Sequence, residues 1–281
     1  MFNIGFYHSF VTLIMIFQII IGSGLTLLGL SIPMPFQLIL GSAIFFGLPA
    51  CLYVKLSGQK FQERMEFKKL SPKNILYIVC LSISVYPAAL FVSAIASLFF
   101  TDHIPEVLGT MADGANPIIM FMAICMSPAF FEEIFFRGFL GKPLKHLGFK
   151  GALLNGLYFG LIHLNPHQFF YVFALGVLLY YMLILGGSIW APIISHLIIN
   201  SLGLMLFYLS PIISEYAHLS LNFLIIPTII FVILLRKFID DNKGRLIISE
   251  DLKAQNLQII TPSFAVMIAM YLFIIFSFSL F

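Results

Sequence analysis

The sequence predicts an all-α fold, a polytopic transmembrane bundle of about eight or nine spans forming one integral-membrane domain over residues 1–281. Three observations lead there. Of the 281 residues, 60% are hydrophobic and 10% charged, with a mean hydropathy of +1.04, whereas about a quarter of the residues of a soluble domain are charged. Long apolar runs recur along the whole chain, each near the roughly 20 residues that a bilayer-crossing helix needs. The charges are gathered into a few segments between those runs.

The first run, Phe6 to Leu30, has no Lys or Arg ahead of it and is too long for a signal-peptide core, so it reads as an uncleaved helix. Ile32 to Pro35 make a short turn, and a second run reaches Leu56. A polar segment from Lys55 to Lys73 carries six basic and two acidic residues. The third span covers Ile75 to Phe100. It is followed by Thr101 to Asn116, which holds Asp102, Glu106 and Asp113 and no Lys or Arg. The fourth starts near Pro117 and runs into a basic segment through Lys142, Lys145 and Lys150. The fifth extends from Gly151 to Asn165-Pro166, the sixth from Phe169 to Leu185, and the seventh, after a tight turn at Gly186-Gly187-Ser188, to Leu209. Pro211 to Ser220 form a polar loop. The eighth span ends at Arg236-Lys237, a polar loop continues to Asn256, and a last run covers Ile259 to Phe281.

Threading these spans with a cytoplasmic N-terminus places all 15 Lys and Arg on one side, as the positive-inside rule requires. The basic segments read as topology signals, and nothing in them calls for nucleic acid. The expected surroundings are membrane lipids. Cys51, Cys80 and Cys125 lie inside apolar runs without paired spacing, so they read as small core residues rather than a disulfide frame.

Within the fourth span stands Phe130-Phe131-Glu132-Glu133-Ile134-Phe135-Phe136-Arg137-Gly138. Each unpaired charge near the centre of a bilayer costs on the order of 3 kcal/mol on insertion scales, so three such groups must be paired or used. On a helix Glu133 and Arg137 are four apart, with the carboxylate N-terminal to the cation, the favoured order for an ion pair. Glu132 points about 100° away and stays free for general-base work. Pro128, four residues earlier, removes a backbone donor and can kink the helix beside it. Whether that helix runs on past Gly138, Gly141 and Pro143 decides whether Glu132 reaches the depth of the other polar groups.

Those groups are Asn155, Phe159 and His163, one face of the fifth span, and His196 and Asn200, one face of the seventh. His146 and His167 read as loop residues. A carboxylate, two imidazoles and a carboxamide on three helices can hydrolyse an acyl bond. Glu132, assisted by His163, takes a proton from water, and His196 and Asn200 donate to the oxyanion, with Glu133 and Arg137 holding the helix. Glu132, His163 and His196 are also candidate metal ligands, although no HExxH spacing is present and zinc does not follow.

Glu-Glu-x-x-x-Arg at Glu132 to Arg137, Phe-x-x-x-His at Phe159 to His163 and His-x-x-x-Asn at His196 to Asn200, in this order, resemble the CAAX prenyl endopeptidase and bacteriocin-processing (CPBP, or Abi) family of intramembrane proteases. Phe-Phe-Arg-Gly-Phe-Leu and Gly-Ser-Ile-Trp-Ala-Pro-Ile-Ile-Ser-His, which flank these motifs, agree. The resemblance covers about residues 115 to 205 as a catalytic core. It implies an endopeptidase acting on a membrane-associated protein or peptide, with Glu132 and His163 activating the water, Glu133 and Arg137 supporting, and His196 and Asn200 at the oxyanion. It implies either a glutamate-dependent enzyme or a metalloprotease with a divalent metal such as zinc. Eukaryotic members cut prenylated CAAX proteins, and many bacterial ones process peptides or confer immunity to bacteriocins, which suggests a bacterial plasma membrane. Two other readings stay open: a non-catalytic immunity or assembly partner, and an ion-coupled transporter or proton relay, which would also place Glu, His and Arg inside a bundle.

Overall fold

A computed structural model describes residues 4–27, 29, 32–213, 222–246 and 259–279. Among these residues there are helices and no strands. The long helices are α1 (Ile4–Leu27), α2 (Met34–Ser57), α4 (Pro72–Ala96), α6 (Pro117–Leu147), α8 (Pro166–Gly186), α9 (Trp190–Ile213), α10 (Asn222–Asn242) and α11 (Pro262–Ser279). Three shorter ones lie between them: α3 (Phe61–Arg64), α5 (Ile104–Ala112) and α7 (Phe149–Leu161). The polar loop expected at Pro211 to Ser220 lies outside the described residues beyond Ile213, as does most of the stretch up to Asn256.

Six of these helices are long and apolar enough to cross a membrane, and Pro262–Phe276 forms a shorter apolar helix. The outer face of α4 carries exposed Ile83 and Phe91, and α10, which is not one of the six, carries exposed Ile225, Ile229 and Ile233. Apolar side chains in such continuous exposure belong against lipid, where every backbone polar group is satisfied inside a helix. The expected fifth span differs most from its prediction. α7 has 13 residues, about 20 Å at 1.5 Å per residue, too short to cross the roughly 30 Å of hydrocarbon. It turns back into α8 at residues 162–165, and the two helices pack as an antiparallel hairpin. Glycines make that contact possible. A Cβ on Gly176 would stand 2.9 Å from Gly156 Cα, and one on Gly160 would stand 3.1 Å from the Phe169 ring. Gly156 and Gly160 form the small-xxx-small spacing that lets transmembrane helices approach closely.

Among the described residues three π-helical stretches occur, at Ala43–Gly47, Met122–Met126 and Ile134–Gly141, and each is followed within two residues by a proline, Pro49, Pro128 or Pro143. A proline inside a helix has no N–H and its ring clashes with the carbonyl four residues back; widening the preceding turn relieves the clash without ending the helix. That is why α6 continues through Gly138, Gly141 and Pro143 to Leu147. Around its π-helical stretch lies the largest core cluster, with Phe135, Phe136, Phe139 and Leu140 of α6 against Tyr158 and Phe159 of α7 and Tyr180 of α8.

α5 occupies the middle of Thr101 to Asn116. Arg137 is fully buried. Of the three free cysteines only Cys125 is a buried core residue, Cys51 being exposed on the outside of α2.

Candidate active site

The site is assembled by α6, α7 and α9, held together by α8. On α6 the expected ion pair is present. Arg137 Nη1 donates to Glu133 Oε1 at 2.9 Å, and neither side chain has any exposure. Arg137 does not stop there. Its Nη2 donates to the Gly176 carbonyl of α8 at 3.0 Å, and its guanidinium carbon lies 4.4 Å from the centroid of the Phe159 ring, where the π-face attracts a cation.

Glu133 is also the partner of His196. The imidazole Nδ1 lies 2.8 Å from the same Oε1 that Arg137 reaches. An ionised carboxylate accepts, so this nitrogen carries the proton and Nε2 is left pointing elsewhere. The carboxylate can also balance the charge of an imidazolium at His196. Sequence reading gave Glu133 only Arg137 as a partner; no local spacing reports a contact between residues 63 positions apart.

His163, just past the end of α7, places Nδ1 2.8 Å from the Phe159 carbonyl. A carbonyl only accepts, so here too Nδ1 holds the proton and Nε2 keeps its lone pair. The Phe159 ring stands edge-on to both imidazoles, at 5.1 Å from His163 and 5.7 Å from His196, and 5.1 Å from Phe136. Phe159 is thus the hub on which both histidines, Arg137 and the α6 core converge.

Asn200 has a use that was not anticipated. Its Nδ2 donates to the Ile124 carbonyl at 3.0 Å. Ile124 lies four residues before Pro128, whose missing N–H deprives that carbonyl of its ordinary helical donor. Asn155 does the same for the second bend, donating to the Phe136 carbonyl at 2.6 Å inside the π-helical stretch, from a fully buried position on α7. Carboxamides from two neighbouring helices therefore stabilise the irregular backbone on either side of Glu132.

Glu132 itself stands apart from this network. Its Oε2 is buried and has no hydrogen-bond partner, although His196, Glu133 and Arg137 lie within electrostatic range of the carboxylate. His163 likewise senses His196 and Arg137. Among the described residues no three His, Cys, Asp or Glu side chains are grouped so as to hold a metal ion. The set Glu132, His163 and His196 therefore does not fit a shared metal.

His167 is corrected. Far from lying in a loop, it is fully buried in the first turn of α8 and bonds to the Ser97 hydroxyl through Nε2 at 2.9 Å. Asn165 caps that turn, its Oδ1 accepting the amides of His167 and Gln168.

Neither a curated protein nor a solved structure matches the chain. The family model described as type II CAAX prenyl endopeptidase Rce1-like matches residues 114–202. That segment holds Glu132, Glu133, Arg137, His163, His196 and Asn200, and over it the chain is similar to the CPBP family of intramembrane proteases.

Proposed function

We propose that the protein is an intramembrane endopeptidase in which Glu132 is the general base. The observation that carries this reading is the contrast between two adjacent carboxylates. Each has a buried Oε2 without a partner, but Glu133 is bonded through its Oε1 to Arg137 and His196, while Glu132 makes no hydrogen bond to the protein through either oxygen. A polar group left unpaired in such a place is costly, and a reacting water is the partner that would offset the cost.

The reaction then runs as follows. Glu132 takes a proton from a water that the Nε2 lone pair of His163 helps to orient. The hydroxide attacks the scissile carbonyl, and the oxyanion receives Nε2–H of an imidazolium at His196 and the remaining N–H of the Asn200 carboxamide. Glu132 returns the proton to the leaving nitrogen, and the C–N bond breaks. Arg137 and Glu133 hold the α6 helix and balance the charge at His196. The substrate in this reading is a membrane-associated peptide or protein, and the N-terminus and the basic segments face the cytoplasm.

The test compares peptides from membranes of cells carrying the wild-type protein and cells carrying Glu132→Gln, which keeps the side chain's shape and removes the base. Specific fragments present with the wild type and missing with the variant are expected. Identical profiles, with a protective phenotype such as bacteriocin resistance retained, would favour a non-catalytic partner.

A further inference from the structure

The segment joining α2 to α4 crosses the basic end of the bundle, where α6 ends and α9 begins. Its contacts make it a strap. Met65 is buried, and its sulfur fills the space that a Cβ on Gly138 of α6 would need. Glu66 follows with φ +58°, a left-handed backbone that a residue with a Cβ adopts only where its surroundings enforce it. In that conformation the Glu66 carbonyl accepts the Ile189 amide at 3.1 Å, at the threshold of α9. Its carboxylate meets Lys145 Nζ at 2.5 Å and Lys142 Nζ at 4.0 Å, near the end of α6.

Contacts on either side fix the same register. Lys142 Nζ donates to the Arg64 carbonyl at 3.2 Å. The Ser188 hydroxyl donates to the Lys68 carbonyl at 2.6 Å and accepts the Lys68 amide at 3.3 Å. Glu66 therefore reaches two elements at once. One is the helix that bears Glu132, Glu133 and Arg137; the other is the start of the helix that bears His196 and Asn200.

We propose that Glu66 is a positioning residue for the peptidase site, setting the end of α6 against the start of α9 so that Glu132 and His196 address the same peptide bond. The inference rests on the peptidase reading above. Glu66 acts through two helices, so its effect falls on kcat and leaves KM in place. Its ion pair is partly exposed, and pairs of that kind are worth up to about fivefold.

The experiment uses the purified full-length protein and the peptide identified by the Glu132 comparison. Three proteins are compared with wild type: Glu66→Gln, Glu66→Gly, and the charge swap Glu66→Lys with Lys145→Glu. Glycine adopts φ +58° without strain, so Glu66→Gly removes the carboxylate while the strap keeps its path. Both single variants are expected to lose about fivefold in kcat with KM unchanged, and the swap to recover most of it. Unchanged kcat in both, a change confined to KM, or a swap no better than the two single variants would overturn the proposal. With Cys51, Cys80 and Cys125 replaced by serine, a spin-label pair at His146→Cys and Trp190→Cys reads the same geometry without substrate; its distance distribution should broaden in the single variants and sharpen in the swap, and an unaltered distribution contradicts the role. Glu132→Gln, run alongside, separates the two readings. Retained cleavage there removes Glu132 as the base, whereas lost cleavage with full kcat at Glu66 overturns the positioning role alone.

Discussion

Nδ1 of His196 lies 2.8 Å from Oε1 of Glu133, the same oxygen that accepts Nη1 of Arg137 at 2.9 Å. One buried carboxylate oxygen therefore joins α6 to α9 and holds an imidazole in a fixed tautomer and orientation. Removing it leaves a guanidinium buried with only the Gly176 carbonyl as a hydrogen-bond partner. Glu133→Ala should destabilise the protein by about 3–5 kcal/mol, the range for breaking one side of a buried ion pair. Thermal unfolding in detergent checks this, and cleavage should fall with stability.

Asn200 and Pro128 should be energetically coupled. Asn200→Leu leaves the Ile124 carbonyl without its side-chain donor, at a cost of about 1–3 kcal/mol. Pro128→Ala restores an N–H four residues beyond that carbonyl, so the double variant should be more stable than Asn200→Leu alone. Its cleavage should stay low, because Asn200 is also a donor to the oxyanion in the proposed mechanism. A double-mutant cycle of unfolding energies measures the coupling.

Gly176 tests the hub at Phe159. A Cβ there would stand 2.9 Å from Gly156 Cα and 3.1 Å from Phe159 Cβ, and overpacking of this kind costs about 1–3 kcal/mol. Gly176→Ala should therefore push α7 away from α8, shift Phe159 beneath both histidines and lower kcat, although Gly176 touches no substrate. Its kcat relative to that of Gly109→Ala, whose Cβ meets nothing within 4 Å, is the readout.

Asn155→Leu, which lacks the donor, should destabilise by about 1 kcal/mol through loss of the hydrogen bond to the Phe136 carbonyl. Hydrogen exchange should rise locally over residues 134–141 before it rises elsewhere.

The bundle and the polar groups of its centre were legible in the sequence because both are local properties. Apolar runs mark helices, and four-residue spacing gave the Glu133 and Arg137 pair and the face shared by Phe159 and His163. The contact between Glu133 and His196 depends on how helices meet, which spacing does not encode. The course of α6 past Gly138 and Pro143 was equally hidden, since Met65 and Asn155 support it from other parts of the chain. Two signals were present and passed over. Asn165 followed by Pro166 marks a helix start, which puts His167 inside α8 rather than in a loop. Gly156 and Gly160 mark the close α7 and α8 contact that makes the fifth apolar run a short hairpin arm.

The central claim is that Glu132 serves the reaction while Glu133 serves the fold as well. The most direct measurement is thermal unfolding of Glu132→Gln and Glu133→Ala beside wild type, with cleavage assayed on the same samples. The account predicts that Glu132→Gln unfolds within about 2 °C of wild type and has lost cleavage, while Glu133→Ala loses both. Cleavage retained in Glu132→Gln, or a loss of stability there as large as in Glu133→Ala, would contradict it.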